Sequence, residues 1–141
     1  MNIYDQIQEY IDYLPDSYRQ DMQLLHQSIL DLMPAHNLWF IDGKNEQGKM
    51  ISAPRIGYGS FLKKHKDGTA TELYQIGLSV NAKGMSVYIM DPKKYPFSTS
   101  LFGDKIGAAL IQSNYIRFKS LEHIDLNVLF EAVRYGLGYN K

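Results

Sequence analysis

A chain of 141 residues falls in the range served by one hydrophobic core, and 45% hydrophobic against 21% charged residues sets it apart from disordered sequences. Fifteen basic side chains balance fifteen acidic ones, so no long-range field gathers phosphate backbones or anionic lipid, and nucleic acid is not an expected partner. The absence of cysteine removes disulfides, thiolate nucleophiles and cysteine-ligated metal sites.

The chain opens Met1-Asn2-Ile3-Tyr4-Asp5, without the basic segment and apolar core of a signal peptide. Nowhere does it hold the roughly 18 apolar residues that span a bilayer. A cytoplasmic protein with no membrane partner is the expectation. Ile3, Ile7, Tyr10, Ile11 and Leu14 recur at helical spacing, and Pro15 ends that first helix. From Asp16 a second stripe, Tyr18, Met22, Leu25, Ile29 and Leu32, predicts a helix that stops at Met33-Pro34.

The period then changes to two. Leu38 to Ile41 reads as a strand, and the turn residues of 42–48 lead into a further strand over Lys49 to Ser52. Ala53-Pro54 interrupts before a longer strand, Arg55 to Lys64, with Lys66-Asp67-Gly68 as its hairpin turn. On the returning strand Tyr74, Ile76, Leu78 and Val80 alternate with Gln75, Gly77, Ser79 and Asn81, which predicts one apolar face holding the first four. Lys83-Gly84 turns the chain into Met85 to Met90, so four successive antiparallel strands are expected. Residues 91–96 read as loop, and Ser98 or Thr99 caps a short helix through Leu101, Phe102 and Ile106. Tyr115 to Lys119 reads as a last strand, and Asp125 caps a terminal helix whose Leu126, Leu129, Phe130, Val133 and Leu137 lie on one side. The predicted fold is α+β in a single domain over residues 1–141. It is an antiparallel sheet of about five strands with N-terminal helices, a short helix before the last strand and a C-terminal helix packed on it.

Ile56-Gly57-Tyr58-Gly59-Ser60-Phe61, the span from Gly77-Leu78-Ser79 to Ser86-Val87-Tyr88-Ile89, and Ile116-Arg117-Phe118-Lys119 leading through Leu121 to Ile124-Asp125-Leu126 resemble the YdhG-like family of bacterial domains of unknown function. So does Ile11-Asp12-Tyr13-Leu14-Pro15. The resemblance covers most of the chain and rests on scattered small and aromatic positions. It implies a shape similar to frataxins, with helices on one face of an antiparallel sheet, and through one branch of the family a link to iron delivery. The chain departs from the family at Val80-Asn81-Ala82 and at residues 107–112, where relatives carry basic loops. If those basic groups hold an anion in the relatives, that role is not expected here.

Asp5, Glu9 and Asp12 line one side of the first helix and are the candidates for iron contact that the resemblance implies. A helix row spreads carboxylates in steps of about 5 to 6 Å rather than converging them, so an ordinary solvated face is the competing reading. No pair among His26, His36, His65 and His123 has the spacing of a zinc site. Lys63, Lys64, His65 and Lys66 surround a hairpin tip and form a candidate patch for an anion or an acidic partner, against the plainer reading that they keep a sheet edge soluble. Glycines at 57 and 59 suggest that a helix or a ligand packs closely on that strand. Trp39, Tyr58, Phe61, Tyr74 and Tyr88, with Arg55 as polar anchor, are the candidate lining of an aromatic pocket, although aromatic residues also fill ordinary cores.

These residues favour a non-enzymatic module that binds or carries a small ligand, with iron the one metal the resemblance adds and no other cofactor expected. The second reading is a protein-interaction module acting through a sheet edge or the terminal helix, as a monomer or a homodimer. An enzyme ranks last, because no local motif assembles a nucleophile, a base and its orienting group.

Overall fold

In a computed structural model the described residues are 2–32, 37–90, 105–112 and 114–137. Helix α1 (Ile3–Asp12) starts where the Asn2 side chain accepts the Asp5 N–H at 2.9 Å, and α2 (Asp16–Leu32) begins immediately after Pro15. Arg19 holds the joint between them, donating to the Leu14 carbonyl at 3.1 Å and pairing with Asp16 at 2.8 Å. Both helices place their sequence-predicted stripes inward, with Ile7, Ile11, Met22, Leu25 and Ile29 buried.

The strands are β1 (Leu38–Ile41), β2 (Arg55–Tyr58), β3 (Phe61–Lys64), β4 (Ala70–Leu73), β5 (Ile76–Asn81), β6 (Gly84–Ile89), β7 (Leu110–Ile111) and β8 (Tyr115–Phe118). Six of them form one sheet in the order β1-β2-β5-β6-β8-β7, and β3 with β4 forms a separate hairpin. Every pairing is antiparallel. A turn of 3-10 helix, Leu121–His123, leads to α3 (Leu126–Leu137), which Asp125 caps by accepting the Asn127 and Val128 N–H groups at 3.0 and 3.3 Å.

The α+β class, the helical ends and the sequential core strands agree with the sequence reading, while four details differ. The expected strand Arg55 to Lys64 is two strands, because Gly59 adopts φ +73° and turns the chain out of the main ladder. Lys49 to Ser52 forms no strand; the segment folds back on Gly43, whose carbonyl accepts the Ile51 and Ser52 N–H groups, and it keeps one bridge between Lys44 and Met50. Two-residue β7 is too short to produce a period. Among the described residues the sheet therefore has six strands, where about five were expected, beside the two-stranded hairpin. The helix expected through Leu101, Phe102 and Ile106 lies almost wholly outside the described residues, though residues 105–106 are helical and Ile106 is buried.

Alternation assigns the two faces. Phe40, Ile56, Leu78, Val87, Ile116 and Ile111 stand side by side in one rung across all six strands, and all but the partly buried Phe40 are inside the core. Against this face pack the stripes of α1 and α2 together with Leu129, Ala132 and Val133 of α3. Within the core His26 meets Tyr58, with Nδ1 and the hydroxyl 2.7 Å apart.

Candidate ligand-binding face

The other face of the sheet carries a different chemistry. One rung reads Trp39, Gly57, Gly77, Tyr88, Tyr115 and the next reads Ile41, Arg55, Ser79, Ser86, Arg117, Leu110. Two arginines thus flank two serines, and two glycines leave a trough beside them. Tyr74 fills that trough. A methyl group on Gly57 would fall 2.8 Å from Tyr74 Cβ and 2.9 Å from Trp39 Cβ, and one on Gly77 would fall 2.6 Å from Tyr74 Cε1. The close packing anticipated at Gly57 comes from the protein's own tyrosine, neither a helix nor a ligand, and the same tyrosine covers Gly77, which was not anticipated. Gly59 serves instead to end the strand.

Tyr74 orders its neighbours in turn. Trp39 meets it edge-on with ring centroids 6.4 Å apart, while the Trp39 indole N–H donates to the Gly59 carbonyl at 2.8 Å. Arg55 Nη1 donates to the Tyr74 hydroxyl at 2.9 Å, and the Arg55 guanidinium lies over the Tyr88 ring at 5.3 Å. Tyr88 adjoins Tyr115 at 5.8 Å, and the Arg117 guanidinium covers Tyr115 at 4.7 Å. Arg117 Nε donates to Ser86 Oγ at 2.9 Å, which fixes the plane of the fork. Tyr74, Arg55, Tyr88, Tyr115 and Arg117 follow one another along this face as one band.

Its charge is not internally balanced. Among the described residues neither arginine has a carboxylate within 4.0 Å, the ion pair there being Arg19 with Asp16. Arg55 Nε is buried with no acceptor among the described residues. A charged donor in that position costs folding free energy until an acceptor reaches it. Beside Arg117 the surface opens into a groove of about 430 Å³ between the β5–β6 turn and β7. Lys83, Arg117 and Lys119 bring three positive charges to it, and its described lining holds no carboxylate.

The remaining candidates are dispersed. Tyr58, expected in the aromatic pocket, points to the helix side, because residues 56 and 58 alternate with 55 and 57; it is 1% exposed and bonded to His26. Tyr74, expected on the apolar face with Ile76 and Leu78, stands before β5 begins and crosses to the opposite face. Phe61, Lys63, Lys64, His65 and Lys66 belong to the β3–β4 hairpin, where His65 Nε2 lies 2.7 Å from Thr71 Oγ1. Asp5, Glu9 and Asp12 are exposed along α1, and Asp12 accepts from Gln8 at 2.9 Å. Among the described residues no three histidine or carboxylate groups converge on one point. Glu9 instead borders a second groove of about 440 Å³, shared with Tyr10, Tyr13, Phe40, Asp42 and Met50. Sequence reasoning missed Ser86, Tyr115 and Arg117; the signal available was the parity of residues 115 and 117 on a strand whose inward residues are Ile116 and Phe118.

Comparison of the chain with models of protein families, with curated proteins and with solved structures finds no match. No helix among the described residues is long and apolar enough to cross a membrane.

Proposed function

We propose that this chain is a YdhG-like, non-enzymatic module that binds a small anionic ligand on the arginine–tyrosine face of its sheet. The observation that carries the reading is Arg55. Its Nη1 and its stacking surface are taken by Tyr74 and Tyr88, while its buried Nε has no acceptor and no carboxylate stands nearby among the described residues. A ligand oxygen satisfies that donor once a neighbouring side chain shifts to admit it, and Arg117 supplies a second oriented fork across the sheet. Preorganised forks of this kind bind without the ordering cost that a free arginine carries.

The test is a thermal-shift and calorimetric panel of anionic compounds, including benzoate, phenyl phosphate and inorganic phosphate, against their neutral counterparts benzamide and phenol. Anions raise the midpoint by mass action, neutral compounds leave it unchanged, and the shift disappears in the Arg55→Gln/Arg117→Gln protein. A shift that survives in that variant, or the absence of any shift, refutes the reading.

A second reading, a protein-interaction module, draws on the α1 end of the molecule. There Tyr13, Met50 and Ile51 are 84%, 52% and 67% exposed, and Tyr13 and Met50 border the second groove. Light scattering across micromolar concentrations tests self-association through that surface, with a constant monomer mass counting against a homodimer.

A further inference from the structure

The groove beside Arg117 narrows the class of anion, an inference that rests on the reading of this face as an anion site. From its geometry we propose that the groove seats a phosphate monoester, the dianionic group of the ligand, on Lys83, Arg117 and Lys119.

Three observations converge. First, the cations come from separate places in the fold and meet only through strand pairing. Lys83 sits in the turn that joins β5 to β6, and Arg117 and Lys119 lie two apart on β8 and just past its end. Second, Arg117 is already set for an anion. Its Nε is taken by Ser86 and its plane rests on Tyr115, so its two terminal nitrogens, which make no hydrogen bond to a described residue, form the free end of the fork. Third, the charge is local. The chain as a whole is neutral, yet this groove of about 430 Å³ has three positive charges and no carboxylate among its described lining residues. Its other lining residues are Ala108, Ala109, Leu110, Tyr115 and Phe118, none of which carries a charge.

Charge count selects between anions. A carboxylate brings one negative charge and two oxygens, and the Arg117 fork alone satisfies it. A phosphate monoester brings close to two charges and three terminal oxygens, enough to engage the fork and both ammonium groups at once. Arg55, on the same rung as Arg117 but three strands away, stands about 14 Å off along the sheet, and it reads a different part of the ligand.

The experiment titrates phenyl phosphate and benzoate into the full chain by calorimetry, with Lys83→Ala/Lys119→Ala as test variant and Lys63→Ala/Lys64→Ala, on the separate hairpin, as a charge-matched control. Phenyl phosphate binds the parent protein at least about tenfold more tightly than benzoate, the test variant erases that preference, and the control variant keeps it. Equal binding of the two probes, each lost on Arg117→Gln, overturns the phosphate assignment and leaves the anion reading standing. If neither probe binds, both fail. Loss of the preference in the hairpin control as well assigns it to overall charge and overturns the site. Thermal unfolding of each variant confirms that it is folded before binding is compared.

Discussion

Among the described residues Arg55 is held by two tyrosines rather than by an acid, and that arrangement has consequences. An ion pair would have neutralised the guanidinium; stacking on Tyr88 and a hydrogen bond to Tyr74 orient it and leave its charge for something else. The cost is a buried donor without an acceptor, a feature that in other folds amounts to about 1–3 kcal/mol or more. Tyr74 in turn depends on the absence of side chains beneath it. Replacing Gly57 by alanine sets a methyl group against the Cβ atoms of both Tyr74 and Trp39, which cannot yield without moving backbone. The expected loss is about 1–3 kcal/mol in urea unfolding. Replacing Gly77 meets only the edge of the Tyr74 ring, which can swing, so Gly77→Ala costs less. Equal losses at the two positions would show that the Tyr74 ring cannot swing and is held as firmly as its Cβ. At this scale parity was available in the sequence: Arg55 and Gly57 share a face, as do Tyr115 and Arg117, and the same rule sets Tyr58 opposite Arg55, although the two were expected in one pocket. Residue 74 lies beyond the strand and escapes that rule.

Elements differ in how firmly they are held. β5 and β6 pair over six residues in the middle of the main sheet, with Leu78 and Val87 fully buried. The β3–β4 hairpin pairs only with itself and keeps Leu62, Lys63, Lys64 and Glu72 exposed. An isolated two-stranded ribbon is marginal in water, so it opens without unfolding the rest. Hydrogen exchange should show the amides of Leu62 to Lys64 and Ala70 to Leu73 exchanging at least about tenfold faster than those of Ile76 to Val80. Comparable protection in the two would mean that the hairpin folds as part of the main sheet. The strong alternation of β5 and β6 made them legible in advance, as the 3.6-residue stripes did for α1, α2 and α3. β7 was not legible, because two residues carry no period, and the break at Gly59 was not, because a glycine between two strand-like runs suits both a continuous strand and a turn.

Across the whole molecule, stability is tied to a polar pair in the core. Burial pushes His26 below its ordinary value of 6.5, and burial, with Tyr10 nearby as a smaller contributor, raises Tyr58 well above its usual range. The neutral imidazole shares a 2.7 Å hydrogen bond with the Tyr58 hydroxyl. Between the folded and unfolded values of His26, the unfolded chain binds more protons, so stability rises with pH across that window. The contribution is complete above about pH 6.5 and is lost as pH falls through the folded value. Urea midpoints of the parent and of His26→Gln should converge as the pH is lowered from about 7.5 to 5.5, since only the parent loses this contribution. A constant gap between them would remove His26 as the source. By itself the sequence determined the α+β class, the inward stripes and the alternation of the central strands, since these follow from local spacing. Tertiary structure alone decided that Arg55 and Arg117 share a rung, that Tyr74 lies across two glycines, and that Lys83 joins Arg117 and Lys119 in one groove. Those contacts join residues far apart in the chain, and strand order and register, which local spacing does not encode, bring them together.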